Sequence, residues 1–138
     1  MEQNFNKRFL SWRDIDDAIE RLVLNITSSE IKIVAVGGLP RGGLIPAVIL
    51  SHRLHIPFVS QAQIPTIVGN ILIVDDICDS GKTLKRFKFE ENVYTATLHW
   101  KRSSEYEPHF IWKIASENEW IVYPWENKDS QTKPDYAV

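Results

Sequence analysis

The sequence predicts an α/β domain built on a mostly parallel sheet. Three observations lead to this prediction. Segments with apolar residues at helical spacing alternate with short β-rich segments along the chain. Two of the β-rich segments are nearly uncharged apolar runs, which is typical of buried strands. With 138 residues, the chain has room for one compact domain and a core that needs no disulfides.

The first helix is predicted by its start signal. Ser11 occupies the N-cap position, and Asp14 stands three residues later, where a capping box places an acidic or amide side chain. Five apolar residues then recur at helical spacing: Ile15, Ile19, Leu22, Val23 and Ile26. An amphipathic helix of about four turns follows from this pattern.

The remaining elements are predicted in order along the chain. Residues 31–36 are apolar apart from Lys32 and form a buried strand that ends at Gly37. Residues 44–54 form a helix with Pro46 in its first turn, where the missing N–H costs little. A short helix covers residues 81–87, and further strands are predicted at 58–60, 71–74, 93–100, 110–114 and 120–123.

Composition narrows the class of protein. Sixteen Lys and Arg oppose eighteen Asp and Glu, so no global positive field attracts nucleic acid. The single cysteine, Cys78, excludes an intramolecular disulfide and is typical of a cytoplasmic protein. Residues 1–13 mix charged and aromatic residues without a long apolar run, so we expect neither a signal peptide nor a membrane span there. We expect one domain at residues 1–126 and a polar C-terminal tail at residues 127–138.

The most informative stretch is residues 71–83. An apolar β-branched run leads directly into Asp75 and Asp76, and then into Asp-Ser-Gly-Lys-Thr at the predicted start of a helix. The carboxyl ends of strands border the ligand crevice in an open α/β sheet. A helix N-terminus binds phosphate, whereas adjacent carboxylates bind sugar hydroxyls or magnesium. The pattern therefore predicts a phosphorylated sugar, with its phosphate at residues 79–83 and its hydroxyls at the two acids.

Residues 71–83 also admit two other interpretations. Gly81-Lys82-Thr83 matches the end of a phosphate-binding P-loop, but that motif needs a glycine where this chain has Asp76. A purely structural strand–turn–helix with surface acids is the second alternative.

Cys78 is predicted to be a small buried residue without a chemical role. His52, His55, His99 and His109 show no metal-ligand spacing, and the basic run at 82–88 is predicted to be a solvated surface.

Residues 74–83 resemble the phosphoribosyl-pyrophosphate (PRPP) signature of type I phosphoribosyltransferases. Three more segments are similar to the purine-salvage branch of that family, in the expected order. Residues 37–46 resemble its pyrophosphate loop, Lys101 stands where the family keeps a base-binding lysine, and residues 120–126 resemble the segment that covers the base. The resemblance implies a Rossmann-like fold, a mostly parallel central sheet flanked by helices, with a small hood over the base.

The resemblance also implies a reaction and its binding residues. The phosphoribosyl group of PRPP would move to N9 of a 6-oxopurine (guanine, xanthine or hypoxanthine), releasing pyrophosphate. Asp75 and Asp76 would hold the ribose hydroxyls, with Asp76 also beside Mg²⁺. Arg41 and the Gly42 amide would contact pyrophosphate. The 5′-phosphate would be bound by the residues of the signature loop: Asp79, Ser80, Gly81, Lys82 and Thr83.

The family resemblance assigns the base site as well. Asp79 would reach N7 of the purine and act as the general acid/base. Lys101 would donate to O6 and favour 6-oxopurines over adenine, while Trp120 would lie on the purine face and the Ile121 main chain would read its Watson–Crick edge. The peptide bond Pro40-Arg41 would be cis. Family members commonly form homodimers or tetramers, so a homo-oligomer is expected.

One interval departs from the family pattern. Residues 55–73 contain no Asp, Glu, Lys or Arg, whereas related enzymes carry a longer, charged loop here that closes over the site. The short segment at 61–70 supports an alternative function, a non-catalytic nucleotide- or PRPP-sensing module of the same fold. A nucleotide-hydrolysing P-loop protein is the third hypothesis, opposed by Asp76 and by the lack of a Walker B strand.

Overall fold

The computed structural model describes residues 6–127, so residues 128–138 of the predicted tail lie outside the described residues. The elements follow in the order β1 (Asn6–Phe9), α1 (Trp12–Ser28), β2 (Ile33–Gly38), α2 (Leu44–Leu54), a 3₁₀ helix (Gln61–Thr66), β3 (Asn70–Cys78), a second 3₁₀ helix (Leu84–Phe87), β4 (Val93–Trp100), β5 (Phe110–Ile114) and β6 (Glu119–Val122). The α/β prediction is therefore confirmed.

Both sheets within residues 6–127 contain only parallel strand pairs. β2, β3, β4 and β5 form a four-stranded sheet in that order, and β1 pairs with β6 in a separate two-stranded sheet. The β1–β6 pair is the predicted hood. All four residues of β1 are exposed, so no buried apolar pattern marked this strand in the sequence.

Two apolar clusters cover the faces of the large sheet, and β3 alternates between them. Leu72 and Val74 belong to the cluster that contains the apolar stripe of α1, whereas Ile71 and Ile73 belong to the cluster on the opposite face. Because both faces of β3 are covered, its sequence is continuously apolar until the first acid.

The helix predictions are confirmed in different degrees. Ser11 caps α1, and both hydrogen bonds of the capping box to Asp14 are present. α2 has the predicted bounds, and Pro46 lies in its first turn. The predicted helix at 81–87 is wrong as an α-helix, because only a 3₁₀ turn of four residues forms there. The predicted strand at 58–60 is reduced to an isolated bridge between Val36 and Phe58.

No helix within residues 6–127 is long and apolar enough to cross a bilayer.

Candidate active site

Three strand ends converge at one edge of the four-stranded sheet. β2 ends at Gly38, which pairs with Val74, and β3 ends at Cys78, which pairs with Trp100 at the end of β4. The backbone N–H of Lys101 donates to the Cys78 carbonyl at 3.0 Å, so the residue after β4 stays beside the end of β3. Parallel strands thus bring together three segments that are distant in sequence, as the crevice rule for open α/β sheets requires.

The glycine-rich loop after β2 lies directly against β3. The backbone N–H of Leu39 donates to the Val74 carbonyl at 2.9 Å, and Gly43 donates to Leu39 at 2.9 Å. A Cβ atom at Gly42 would lie 2.0 Å from Asp76 Oδ2, and one at Gly43 would lie 2.3 Å from the Val74 carbonyl oxygen. Glycine is required here because the loop backbone touches the acid. The peptide bond between Pro40 and Arg41 is cis, as the resemblance implied.

The two adjacent acids are part of β3, which corrects the prediction that the strand stops at Val74. Both carboxylates are half-buried, and each accepts a hydrogen bond from the next backbone N–H. Asp75 Oδ1 accepts from the Asp76 N–H at 2.9 Å, and Asp76 Oδ1 accepts from the Ile77 N–H at 2.7 Å. These bonds orient the carboxylates relative to the strand before any ligand arrives.

The loop that follows β3 has a backbone that only glycine adopts readily. Gly81 has φ +84°, and a Cβ there would lie 2.7 Å from the Tyr106 backbone nitrogen. The Glu105 N–H donates to the Ser80 carbonyl at 2.7 Å, and the Ser80 hydroxyl accepts from the Lys82 N–H at 3.2 Å. Because the following 3₁₀ turn has only four residues, this loop offers an anion its amides and hydroxyls rather than a long helix dipole.

Asp79 and Lys101 form an ion pair in the crevice. Lys101 Nζ lies 3.6 Å from Asp79 Oδ1, and the lysine side chain is only 4% exposed, against 29% for the aspartate. Lys101 Nζ also donates to the Glu117 carbonyl at 3.3 Å. A buried ammonium group needs such partners. The residue predicted to move a proton and the residue predicted to bind the base therefore lie side by side.

The hood carries the other two predicted base contacts. In β6, Trp120 pairs with Lys7 and Ile121 pairs with Arg8 of β1. Trp120 is half-buried and Ile121 is buried. The hood is joined to Lys101 through the Glu117 carbonyl, which precedes β6 by two residues.

Comparison with known proteins identifies the family. No protein-family model matches the chain. A xanthine-guanine phosphoribosyltransferase of Cereibacter sphaeroides is 33% identical over 114 residues, which cover 67% of this chain and 68% of that protein. The chain belongs to the purine phosphoribosyltransferase family. Its purine-salvage type I membership, expected from the resemblance, is thereby confirmed.

Solved structures agree with this family membership. A purine phosphoribosyltransferase from Pyrococcus horikoshii Ot3 is 30% identical, with a TM-score of 0.73 over 92% of this chain and 99% of that one. The xanthine-guanine-hypoxanthine phosphoribosyltransferase of Helicobacter pylori is 26% identical, with a TM-score of 0.70 over 88% of this chain and 94% of that one.

This purine phosphoribosyltransferase also contains a buried polar network that sequence reasoning missed. The Tyr123 hydroxyl donates to the Asp76 carbonyl at 3.1 Å and lies 2.8 Å from His99 Nδ1. Burial, with the neighbouring Asp76 charge, raises the pKa of Tyr123 well above its usual value. Burial lowers the pKa of His99 to about 4. For His99 the sequence indicates only that it lacks metal-ligand spacing, and for Tyr123 only that it lies in a predicted strand within the segment that resembles the base cover.

Two other interpretations can be compared with the structure. Cys78 is buried, as predicted, and burial raises the pKa of its thiol to about 11. In the basic run, Lys85 pairs with Glu105 at 3.0 Å on the surface, and Arg86 and Lys88 are also exposed. These features match the structural roles that the sequence indicated.

The interval expected to be a short lid is folded against the sheet. Residues 61–66 form the first 3₁₀ helix, with a capping box between Ser60 and Gln63. Ile64 and Ile67 pack against the apolar cluster that contains Ile71 and Ile73. The segment thus contributes to the core next to β2.

The acids at the end of β3 fit magnesium that is shared with a substrate. Within residues 6–127, no group of three or more His, Cys, Asp or Glu side chains could hold a metal ion. Mg²⁺ is usually bound by one or two carboxylates together with waters and substrate phosphates. The half-buried Asp76 carboxylate, with the Gly42 backbone against it, supplies such a donor.

Proposed function

We propose that this protein transfers the 5-phosphoribosyl group of PRPP to N9 of a 6-oxopurine, giving a nucleoside monophosphate and pyrophosphate. The observation that carries this proposal is the Asp79–Lys101 ion pair, which lies at the same sheet edge as the acids of β3. A lysine and an aspartate in one pocket offer a donor for a purine oxygen and an acceptor for a purine proton. Guanine, xanthine and hypoxanthine all carry the required oxygen.

The sugar phosphate would be bound by the two segments at the end of β3. Asp75 and Asp76, with carboxylates already oriented by backbone N–H groups, would accept hydrogen bonds from the ribose hydroxyls. The loop of residues 79–83 would surround the 5′-phosphate with amides, the Ser80 and Thr83 hydroxyls and the Lys82 ammonium group. The close packing at Gly81 supports this assignment, because it holds the loop in one conformation.

The leaving pyrophosphate would lie against the loop after β2. Arg41 and the Gly42 N–H would donate to its oxygens, and the contact of this loop with Asp76 keeps both groups beside the ribose site. Asp76 would hold Mg²⁺ together with substrate oxygens. When bound, the ion neutralises charge on the leaving group. Donors that are already in place are worth several kcal/mol of barrier.

The chemical step exchanges one bond at the ribose for another. The C1′–O bond to pyrophosphate breaks, the N9–C1′ bond forms, and the N7 proton of the purine passes to Asp79 as general base. Lys101 would donate to O6 of the purine, Trp120 would cover its face, and the Ile121 main chain would bind its Watson–Crick edge. Adenine is disfavoured because its amino group cannot accept from an ammonium group.

The assay that tests the reaction is direct. The protein is incubated with Mg²⁺, PRPP and, separately, guanine, xanthine, hypoxanthine or adenine, and monophosphate formation is followed by chromatography. We expect product with at least one 6-oxopurine and little with adenine. Binding of PRPP without product from any base would favour the sensing module instead, an alternative that no comparison favours.

We further propose that residues 1–126 act as one domain in a cytoplasmic homo-oligomer, a dimer or tetramer, without nucleic-acid or membrane partners. The family membership and the reduced, buried Cys78 support this proposal. Light scattering on purified protein gives the oligomeric state, and a monomer at micromolar concentration would contradict it.

A further inference from the structure

Tyr123 connects three parts of the fold from a fully buried position. It follows β6 directly and is 2% exposed. Its hydroxyl reaches the Asp76 carbonyl of β3 at 3.1 Å and His99 Nδ1 of β4 at 2.8 Å. Its ring is stacked on Trp125, with centroids 5.0 Å apart and planes 5° apart. The side chain is therefore fixed at both ends.

The direction of each hydrogen bond follows from the chemistry of the partners. A carbonyl only accepts, so the Tyr123 hydroxyl donates its proton to Asp76. The tyrosine oxygen then accepts from His99, which places the imidazole proton on Nδ1. The network thus runs from His99 through Tyr123 to Asp76. In it the Tyr123 hydroxyl accepts one hydrogen bond and donates one.

The Asp76 carbonyl belongs to the same peptide plane as the Ile77 N–H. That N–H donates to Asp76 Oδ1 at 2.7 Å. One edge of this peptide plane is therefore held by Tyr123, and the other edge orients the Asp76 carboxylate. Any rotation of the plane that breaks the tyrosine bond also turns the carboxylate.

We propose that Tyr123 is a positioning residue that sets the orientation of the Asp76 carboxylate by fixing the 76–77 peptide plane. The inference rests on the proposed function insofar as Asp76 binds the ribose hydroxyls. It connects the segment that covers the base to the acid that holds the sugar.

The first test measures how strongly binding depends on the ribose hydroxyls. Calorimetry gives the Kd of GMP and of 2′,3′-dideoxy-GMP for the wild type, Tyr123→Phe and the control Tyr94→Phe, which makes the same change at a half-buried tyrosine of β4. The phenylalanine keeps the ring and its stacking. We expect Tyr123→Phe to weaken GMP binding about tenfold, the effect of losing one hydrogen bond between the Asp76 carboxylate and the ribose, and dideoxy-GMP binding less than twofold.

A second test needs no ligand. Hydrogen exchange of the Ile77 amide should be about tenfold faster in Tyr123→Phe than in the wild type and unchanged in Tyr94→Phe. Equal weakening of both nucleotides, or an unchanged Ile77 amide, would overturn the positioning role. If the wild type binds none of GMP, IMP and XMP, the proposed function fails, and the exchange rate alone decides whether Tyr123 holds the peptide plane.

Discussion

The buried His99 makes the stability of the protein depend on pH in a predictable direction. Its imidazole is 2% exposed and lies between Tyr123 and Trp112. Burial, together with the nearby charges of Arg8 and Lys113, lowers its pKa from 6.5 to about 4, while Glu119 opposes this shift. The folded protein therefore holds a neutral imidazole over a pH range in which the unfolded chain binds a proton.

The sign and the size follow from linkage. As pH falls from 7 to 5, the unfolded state gains a proton that the folded state does not, so the free energy of unfolding falls. With a folded pKa of about 4 and an unfolded value of 6.5, the loss is about 2 kcal/mol by pH 5. It is about 3 kcal/mol by pH 4, where the folded imidazole begins to protonate. Well above pH 6.5 the imidazole is neutral in both the folded and the unfolded state, so this loss of unfolding free energy is absent.

Urea denaturation followed by tryptophan fluorescence at pH 7, 6 and 5 measures this loss. His99→Gln should remove most of the decrease, because glutamine does not titrate. His109, whose pKa is also lowered by desolvation, would leave a smaller residual slope. The control His52→Gln removes an exposed imidazole and should leave the decrease in place. A wild type that loses less than about 0.5 kcal/mol between pH 7 and 5 would refute the reasoning.

Three further predictions concern the crevice. Asp79→Asn should lower kcat by about 10²- to 10⁴-fold, because proton transfer to this residue is lost. The Kd of the sugar phosphate should change little, because the rest of the loop of residues 79–83 is intact. Equal losses in kcat and in sugar-phosphate binding would contradict the role of Asp79. Lys101→Ala should reduce the preference for 6-oxopurines over adenine in competition assays, and an unchanged preference would remove Lys101 from the base site. Gly81→Ala and Gly69→Ala should both destabilise the fold by about 1 kcal/mol or more, because both glycines have positive φ, but only Gly81→Ala should weaken binding of ribose 5-phosphate in calorimetry.

The parts of the fold that local sequence controls were predictable. The capping box of Ser11 and Asp14 predicted the start of α1, because its hydrogen bonds join residues three apart. The bounds of α2 followed from the glycine pair before it and from its apolar run. β1 was not predictable, because its four residues are exposed and its only pattern is the pairing with β6, more than a hundred residues away.

The site residues differ in the same way: some lie close together in sequence, and others meet only through the fold. Asp75, Asp76 and Asp79 stand in one short motif, so their proximity could be read from sequence. The contact between Asp79 and Lys101 depends on β3 and β4 being neighbours and on where each strand ends. The proposed role of Tyr123 depends on the hydrogen bond between its hydroxyl and a carbonyl on β3, and no residue pattern in the sequence predicts that contact.

The short turn after Thr83 changes which part of the fold supports the loop of residues 79–83. A 3₁₀ helix of four residues provides little dipole and few N-terminal amides, so the loop cannot rely on it as an α-helix start would allow. Instead, the β4–β5 connection packs on Gly81: Glu105 donates to Ser80, and the Tyr106 backbone fills the space that a Cβ would need. Tyr106 is itself held by Thr95 of β4 at 2.8 Å. The loop of residues 79–83 is therefore supported by the connection between β4 and β5, which lies beside it because β3 and β4 are neighbours in the sheet.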